Sequence, residues 1–199
     1  MRTVVLGSAS PRRKLLLEQI GIHPVVRPAA QSELVFRQGG MTEAQEIAKQ
    51  KGLEVAAAKD LPENALVLAA DTMVVLAGNI LGKPNDFAEA EDMLRRLSGQ
   101  VHQVITGIFL LDTANGKSEC TYAITEVEFK NLSQSHIHGY IASGEGWDKA
   151  GGYAIQGLGA VLVNRIEGSY SNVVGLPLET VADLLEDFGY QVVAGSNKE

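Results

Sequence analysis

Residues Ser8 to Lys14, SASPRRK, join a small-residue loop to two adjacent arginines. A helix start presents unpaired backbone N–H groups and the positive end of the helix dipole, so a loop of this kind, with the Ser8 hydroxyl in it, suits an anion such as phosphate. Arg12 and Arg13 in the first turn oppose that dipole, which points to a role other than helix stability; the plainer alternative is two solvated arginines on an exposed turn. Asp71, with Thr72 beside it, follows the apolar run Ala65–Ala70. A carboxylate at the end of a buried strand can hold a divalent cation or orient a water, although it also serves as a turn former or a cap. In LGKP, residues 81–84, Lys83 lies between a glycine that grants close backbone access and a proline that fixes chain direction. It suits a phosphate oxygen, and equally a solvated turn. In DKAGGYAIQG, residues 148–157, glycines permit close approach and Gln156 carries both a donor and an acceptor. That amide can pair with both polar edges of a pyrimidine base, and the segment also fits a surface turn. His136 and His138 would point to different faces of a helix and have no third ligand nearby, which argues against a metal site there. There is no P-loop, GxGxxG or GxSxG motif.

The elements that must position these groups alternate between strand and helix. Thr3–Gly7 reads as a strand, and Ser10, Pro11 and Gly21 mark the N-cap, first position and C′ of a following helix. Residues 22–26 read as a second strand, and Thr42 with Gln45 as a capping box. In the helix so opened, Ala44, Ile47, Ala48, Lys51 and Val55 share one stripe, where Lys51 either snorkels along the core edge or reaches a ligand. Residues 65–76 continue as a strand towards a Gly78–Asn79 turn, and Asp86 caps a helix to Leu97. Residues 102–112 and 119–130 form a long hairpin through Thr113–Gly116, and Ser133 opens a helix to Ile141. After the glycine-rich stretch 143–159 come a strand over 160–166 and a helix over 177–188.

Composition bounds the class. The 199 residues are 45% hydrophobic and 21% charged, enough for a sizeable core, and no linker or repeat divides them, so one domain over residues 1–199 is expected. A net charge of −7 argues against a nucleic-acid polymer as partner while leaving room for a small phosphorylated ligand. A lone Cys120 allows no intrachain disulfide, and no segment has the length of a signal peptide core or membrane helix, so the expected location is cytoplasmic.

Six segments in order carry a resemblance: SxSPRR at 8–13, ADT at 70–72, GKP at 82–84, SGQVHQVITG at 98–107, DKAGGYAIQG at 148–157 and GSYSNVVGLPL at 168–178. Together they resemble the Maf family of nucleotide pyrophosphatases over residues 4 to 185, and DKAG followed by IQG resembles its dTTP/UTP branch. The resemblance implies an α/β fold of the inosine-triphosphatase-like kind: an elongated mixed sheet flanked by helices, two lobes with a central cleft, in a homodimer. It implies Asp71 as general base, Arg12, Thr72 and Gln156 in substrate choice, and Lys83 and Lys51 on phosphate. With Ser8 and Arg13 these complete a cationic, hydroxyl-bearing lining for a triphosphate. A divalent cation, Mg²⁺ or Mn²⁺, is expected on Asp71 and Glu33; Ser32 stands where the branch usually shows an acidic residue before that glutamate, and Glu33 matches the second carboxylate. Two other readings compete. VVLGSASPRR also resembles the opening of sugar-phosphate nucleotidyltransferases, against which the later motifs count. A nucleotide-binding regulator of cell division without catalysis is the other, against which Asp71, Lys51 and Lys83 count.

Overall fold

Short apolar runs and capped amphipathic segments produce, in order, β1 (Val4–Leu6), α1 (Pro11–Gln19), β2 (Val25–Val26), α2 (Met41–Ala56), β3 (Leu66–Leu76), β4 (Asn79–Leu81) and α3 (Phe87–Leu97). They continue as β5 (Val101–Asp112), β6 (Ser118–Phe129), α4 (Gln134–Ser143), β7 (Val163–Glu167), α5 (Tyr170–Val174) and α6 (Leu178–Asp187). The computed structural model describes residues 2–29 and 39–192.

The strands form one mixed seven-stranded sheet in the order β2-β1-β3-β5-β6-β7, with β4 also on β3. β1 runs parallel to β2 and β3, whereas β3, β5, β6 and β7 pair antiparallel. β5 accompanies β3 from Leu66 to Val75. The other edge of β3 is shared: β1 takes Leu66–Leu68, and β4 takes Val74–Leu76. Between them, among the described residues, the edge of β3 around Asp71 has no strand partner. Asp71 and Thr72 therefore lie in the middle of an 11-residue strand and not at its end. The strand that ends beside them is β1.

Because side chains alternate across a strand, β3 serves two cores. On one face Leu66, Leu68 and Ala70 join α1 and α6 around Leu17, Leu176 and Leu185, and Val74 joins α3 and α4 around Leu94, Phe129 and Tyr140. Val163, Ile166 and Val173 pack against both clusters, and Thr72 falls between them. On the opposite face α2 covers Val67, Met73, Val75 and Ile105 with Val55, Ala44 and Ile47.

Local signals behave unevenly. Pro11 occupies the first turn of α1 and Gly21 follows its C-cap at φ +78, yet the Ser10 side chain makes no capping bond. α2 starts one residue before Thr42: Gly40 is its N-cap, and Glu43 Oε2 accepts the Gly40 N–H at 2.8 Å. Gln45 is thereby free to donate from Nε2 to Cys120 O on β6. The expected strand over 160–166 begins only at Val163, because Gly157–Leu162 first form a 3-10 turn.

Candidate active site

The unpartnered stretch of β3 opens into a cavity of about 560 Å³. Ser8, Arg12, Arg13, Lys51, Asp71, Thr72, Lys83 and Gln156 all line it. They arrive from different directions. β1 delivers the Ser8–Arg13 loop on one side of the gap, and β4 delivers Lys83 on the other. Lys51 comes from α2 on the far face, and Gln156 from the segment between α4 and β7. Glu33 lies outside the described residues.

Asp71 accepts from Lys51 Nζ at 2.5 Å, with the two side chains 20% and 21% exposed. Gly107 makes this possible. It is the cross-strand partner of Asp71, and a Cβ there would stand 2.2 Å from the carbonyl carbon and oxygen of Ala44. The bare glycine lets α2 lie close on the sheet, so that Lys51, two turns further along, meets the carboxylate.

The two arginines divide the work. Arg13 is buried and donates from Nε to Gly175 O (2.8 Å), from Nη1 to Ser8 Oγ (3.0 Å) and Ala70 O (2.8 Å), and from Nη2 to Thr72 Oγ1 (3.0 Å). Burial pulls its pKa below the ordinary value, while the charge of Asp71 acts in the opposite sense. Gly7 N donates to Leu68 O, the last ladder bond of β1. The next carbonyl in that register is Ala70 O, which Arg13 takes in place of a longer β1. With four of its donor directions spent on protein, Arg13 is built into the cavity floor. Arg12 differs: its Nε is buried without a hydrogen-bond partner among the described residues. Lys83 is exposed and has no hydrogen-bond partner among the described residues.

Thr72 Oγ1 lies 2.9 Å from Thr106 Oγ1 and 3.3 Å from Gly175 O, so its hydroxyl is held within the Arg13 network. The GSYSNVVGLPL segment, to which composition and spacing assigned no role, supplies this network's acceptor at Gly175. It also supplies Asn172, which donates to Val104 O (3.0 Å) and Thr125 Oγ1 (2.9 Å) beneath the cavity.

Beyond the residues expected from sequence, the wall holds Asp148, Lys149 and Tyr153. Lys149 Nζ pairs with Asp148 Oδ1 and donates to Glu145 O at 2.6 Å. Burial works to raise the Asp148 pKa, but the hydrogen bond and charge of Lys149, with the charge of Arg12, hold it below the usual carboxylate value. The Tyr153 hydroxyl lies 2.7 Å from His102 Nε2, and both rings stack edge-on with Phe129. The doubled glycine of DKAGGY was the available signal for this wall: Gly151 and Gly152 both adopt left-handed φ (+72 and +69), and Gly151 N donates to Gly82 O at 2.9 Å, docking the segment beside Lys83.

Among the described residues no three His, Cys, Asp or Glu side chains gather as a metal cluster. A magnesium-type cation commonly takes one or two carboxylates and completes its shell with water and substrate phosphate, and Asp71 in this cavity offers such an oxygen donor.

Comparison with known proteins agrees with this architecture. A protein from Coxiella burnetii described as a HAM1 protein superposes with a TM-score of 0.51 at 18% identity, covering 94% of this chain and 100% of that one, a likeness of fold. The dTTP/UTP pyrophosphatase of Pelotomaculum thermopropionicum is 45% identical over 97% of this chain and all of its own length. That of Moorella thermoacetica is 46% identical, covering 96% and 98% respectively. The profile of the family described as Maf-like protein matches residues 3–188. The chain belongs to the Maf family.

Proposed function

We propose that the protein is a nucleoside triphosphate pyrophosphatase acting on dTTP and UTP, the activity named for its relatives. The observation that carries the reading is the single cavity in which Asp71, the cations Arg12, Lys51 and Lys83, and the amide of Gln156 face one another. Its volume of about 560 Å³ is in the range of nucleotide-sized ligand sites.

In the proposed reaction Asp71 takes a proton from water as the water oxygen attacks the α-phosphorus. The bond from that phosphorus to the α–β bridging oxygen breaks, and pyrophosphate leaves with the bonding pair, giving the nucleoside monophosphate. Phosphoryl-type transfer is mostly positioning and charge neutralisation. Lys83 and Arg12, which have room for a ligand, bind phosphate oxygens from opposite sides of the β3 gap, and Lys51 divides its charge between Asp71 and the substrate. Ser8 and Arg13 shape the floor and present the helix start to phosphate. Thr72 fixes the strand backbone next to the base, and Gln156 reads the pyrimidine edge. Asp71, with Glu33, is the proposed holder of Mg²⁺ or Mn²⁺, which supplies charge neutralisation on the phosphates when bound. The chain is proposed to work in the cytoplasm as a homodimer.

The test is the release of pyrophosphate against orthophosphate from dTTP, UTP, dCTP, GTP and 7-methyl-GTP with Mg²⁺ or Mn²⁺. Pyrophosphate from dTTP and UTP is expected, and Asp71→Asn should fold normally while losing roughly 100- to 10,000-fold in kcat. Orthophosphate as the product, or near-normal turnover by Asp71→Asn, would overturn the assignment.

A further inference from the structure

Glu145 follows the left-handed C-cap Gly144 of α4 and belongs to none of the groups placed on the substrate above. Its carboxylate nevertheless reaches across to the segment that carries Gln156. Oε1 accepts the Leu158 N–H at 2.9 Å, and Oε2 accepts the Gly159 N–H at 3.2 Å. These are N–H groups of the 3-10 turn that starts immediately after Gln156. The seat admits little else: a Cβ on Gly157, which sits at φ +67, would stand 2.5 Å from Glu145 Oε1. A Cβ on Gly159 would meet Ala154 O at 1.8 Å, and one on Gly146 would meet Gly152 O at 2.0 Å. Bare backbone is thus packed against bare backbone on both sides of the carboxylate.

The same residue holds the other wall. Its main-chain oxygen takes the Lys149 ammonium at 2.6 Å, and Lys149 in turn pairs with Asp148. On the N-terminal side of Gln156 two further fastenings operate, Ala154 N to Tyr140 OH at 3.0 Å and Tyr153 OH to His102 at 2.7 Å. Gln156 is therefore slung between fixed points at Ala154 and Leu158, and Glu145 supplies the second of them.

We propose that Glu145 is a positioning residue for base discrimination, setting where the Gln156 amide stands over the cavity and tying it to the Asp148–Lys149 wall. The inference rests on the proposed reading of Gln156 as the base-reading group. A site that hydrogen-bonds one base discriminates only while its polar groups are held in register, so loosening the support costs selectivity before it costs chemistry.

The test compares KM and kcat for dTTP and dCTP in the wild type, Glu145→Ala, Glu145→Gln, Gln156→Ala and the Glu145→Ala/Gln156→Ala pair. Glu145→Ala is expected to narrow the dTTP-to-dCTP ratio of kcat/KM by about tenfold, the scale of losing hydrogen bonds to a charged acceptor, with most of the change in KM. Glu145→Gln, which keeps one acceptor oxygen, should fall between the two and carries the test if the alanine variant does not fold. Added to Gln156→Ala, the loss of Glu145 should narrow the ratio no further. A wild-type ratio in Glu145→Gln, an equal fall of kcat on both nucleotides, or additive effects in the double variant would each overturn the inference while leaving the reaction standing. A wild type that turns over neither dTTP nor UTP would instead overturn the functional reading beneath it.

Discussion

Lys51 and Asp71 make one contact with two uses. Each side chain is about a fifth exposed, so the pair is neither a buried ion pair with a large desolvation cost nor a freely screened surface bridge. Lys51→Met keeps the stem along α2 and removes the charge. Stability should change by no more than about 1 kcal/mol, measured by urea unfolding, while kcat on dTTP falls by about 100-fold. Equal losses in both would make the pair structural. His102 makes the opposite case. It is 1% exposed, its Nδ1 has no hydrogen-bond partner among the described residues, and burial lowers its pKa from 6.5 to about 4. The folded protein therefore keeps the ring neutral where the unfolded chain would bind a proton. The stabilising effect is complete above pH 6.5 and is lost as pH falls towards 4. Urea midpoints between pH 7.5 and 4 should fall more steeply for the wild type than for His102→Gln, and parallel curves would sink this account. At this scale the sequence offered types but not roles. Arg12 and Arg13 are adjacent and identical in SASPRRK, and only the meeting of Ser8, Ala70, Thr72 and Gly175 around Arg13 separates the arginine of the floor from its neighbour in the cavity lining.

α2 and the β3–β5 pair form the element on which the site depends. The Cβ of Gly107→Ala would collide with backbone, which cannot swing aside as a side chain can. The helix must lift, at a cost of about 1–3 kcal/mol. Thermal unfolding should show that loss, and turnover should fall beyond what the remaining folded fraction explains, because Lys51 leaves Asp71. The periodic signals for α2, α3 and the β5–β6 hairpin were legible, since amphipathic helices and alternating strands write their partners into local sequence. Asp86 as the cap of α3 was readable for the same reason, and its Oδ1 accepts Glu89 N at 2.8 Å. What was not legible depends on distant pairing. The strand over residues 65–76 was readable, but nothing local records that β5 accompanies it to Val75 and leaves Asp71 within a paired strand. The 3-10 turn that delays β7 depends on the Glu145 carboxylate, 14 residues from the Gly159 N–H it accepts.

Across the whole molecule, two apolar clusters lie on one face of a continuous sheet, and the cavity lies where they meet. A ligand there would touch loops from β1, β4 and the Glu145–Gly159 region together, so its binding would stabilise the fold as a unit. At 100 times its dissociation constant, a non-hydrolysable dTTP analogue with Mg²⁺ should add about 2.7 kcal/mol. For a chain of this size that is a rise of roughly 5–10 °C in Tm, checked by scanning calorimetry. Addition of EDTA should remove most of the rise if the cation bridges protein and phosphate, whereas a shift insensitive to EDTA would place the affinity in Arg12, Lys51 and Lys83 alone. The sequence made the α/β class and the order of the elements readable, while the open interval of β3 between β1 and β4 belongs to the assembled sheet.

An unpaired sheet edge is ordinarily a template for another chain's strand. Here the carbonyl that an invading strand would seek, Ala70 O, is already taken by the Arg13 guanidinium. The edge is sealed by a side chain and not by a strand, so the gap stays open to the cavity while giving an extended peptide less to grip. Replacing Arg13 would reopen that register, and the first sign of its loss would be a protein that associates edge to edge before its catalysis is ever assayed.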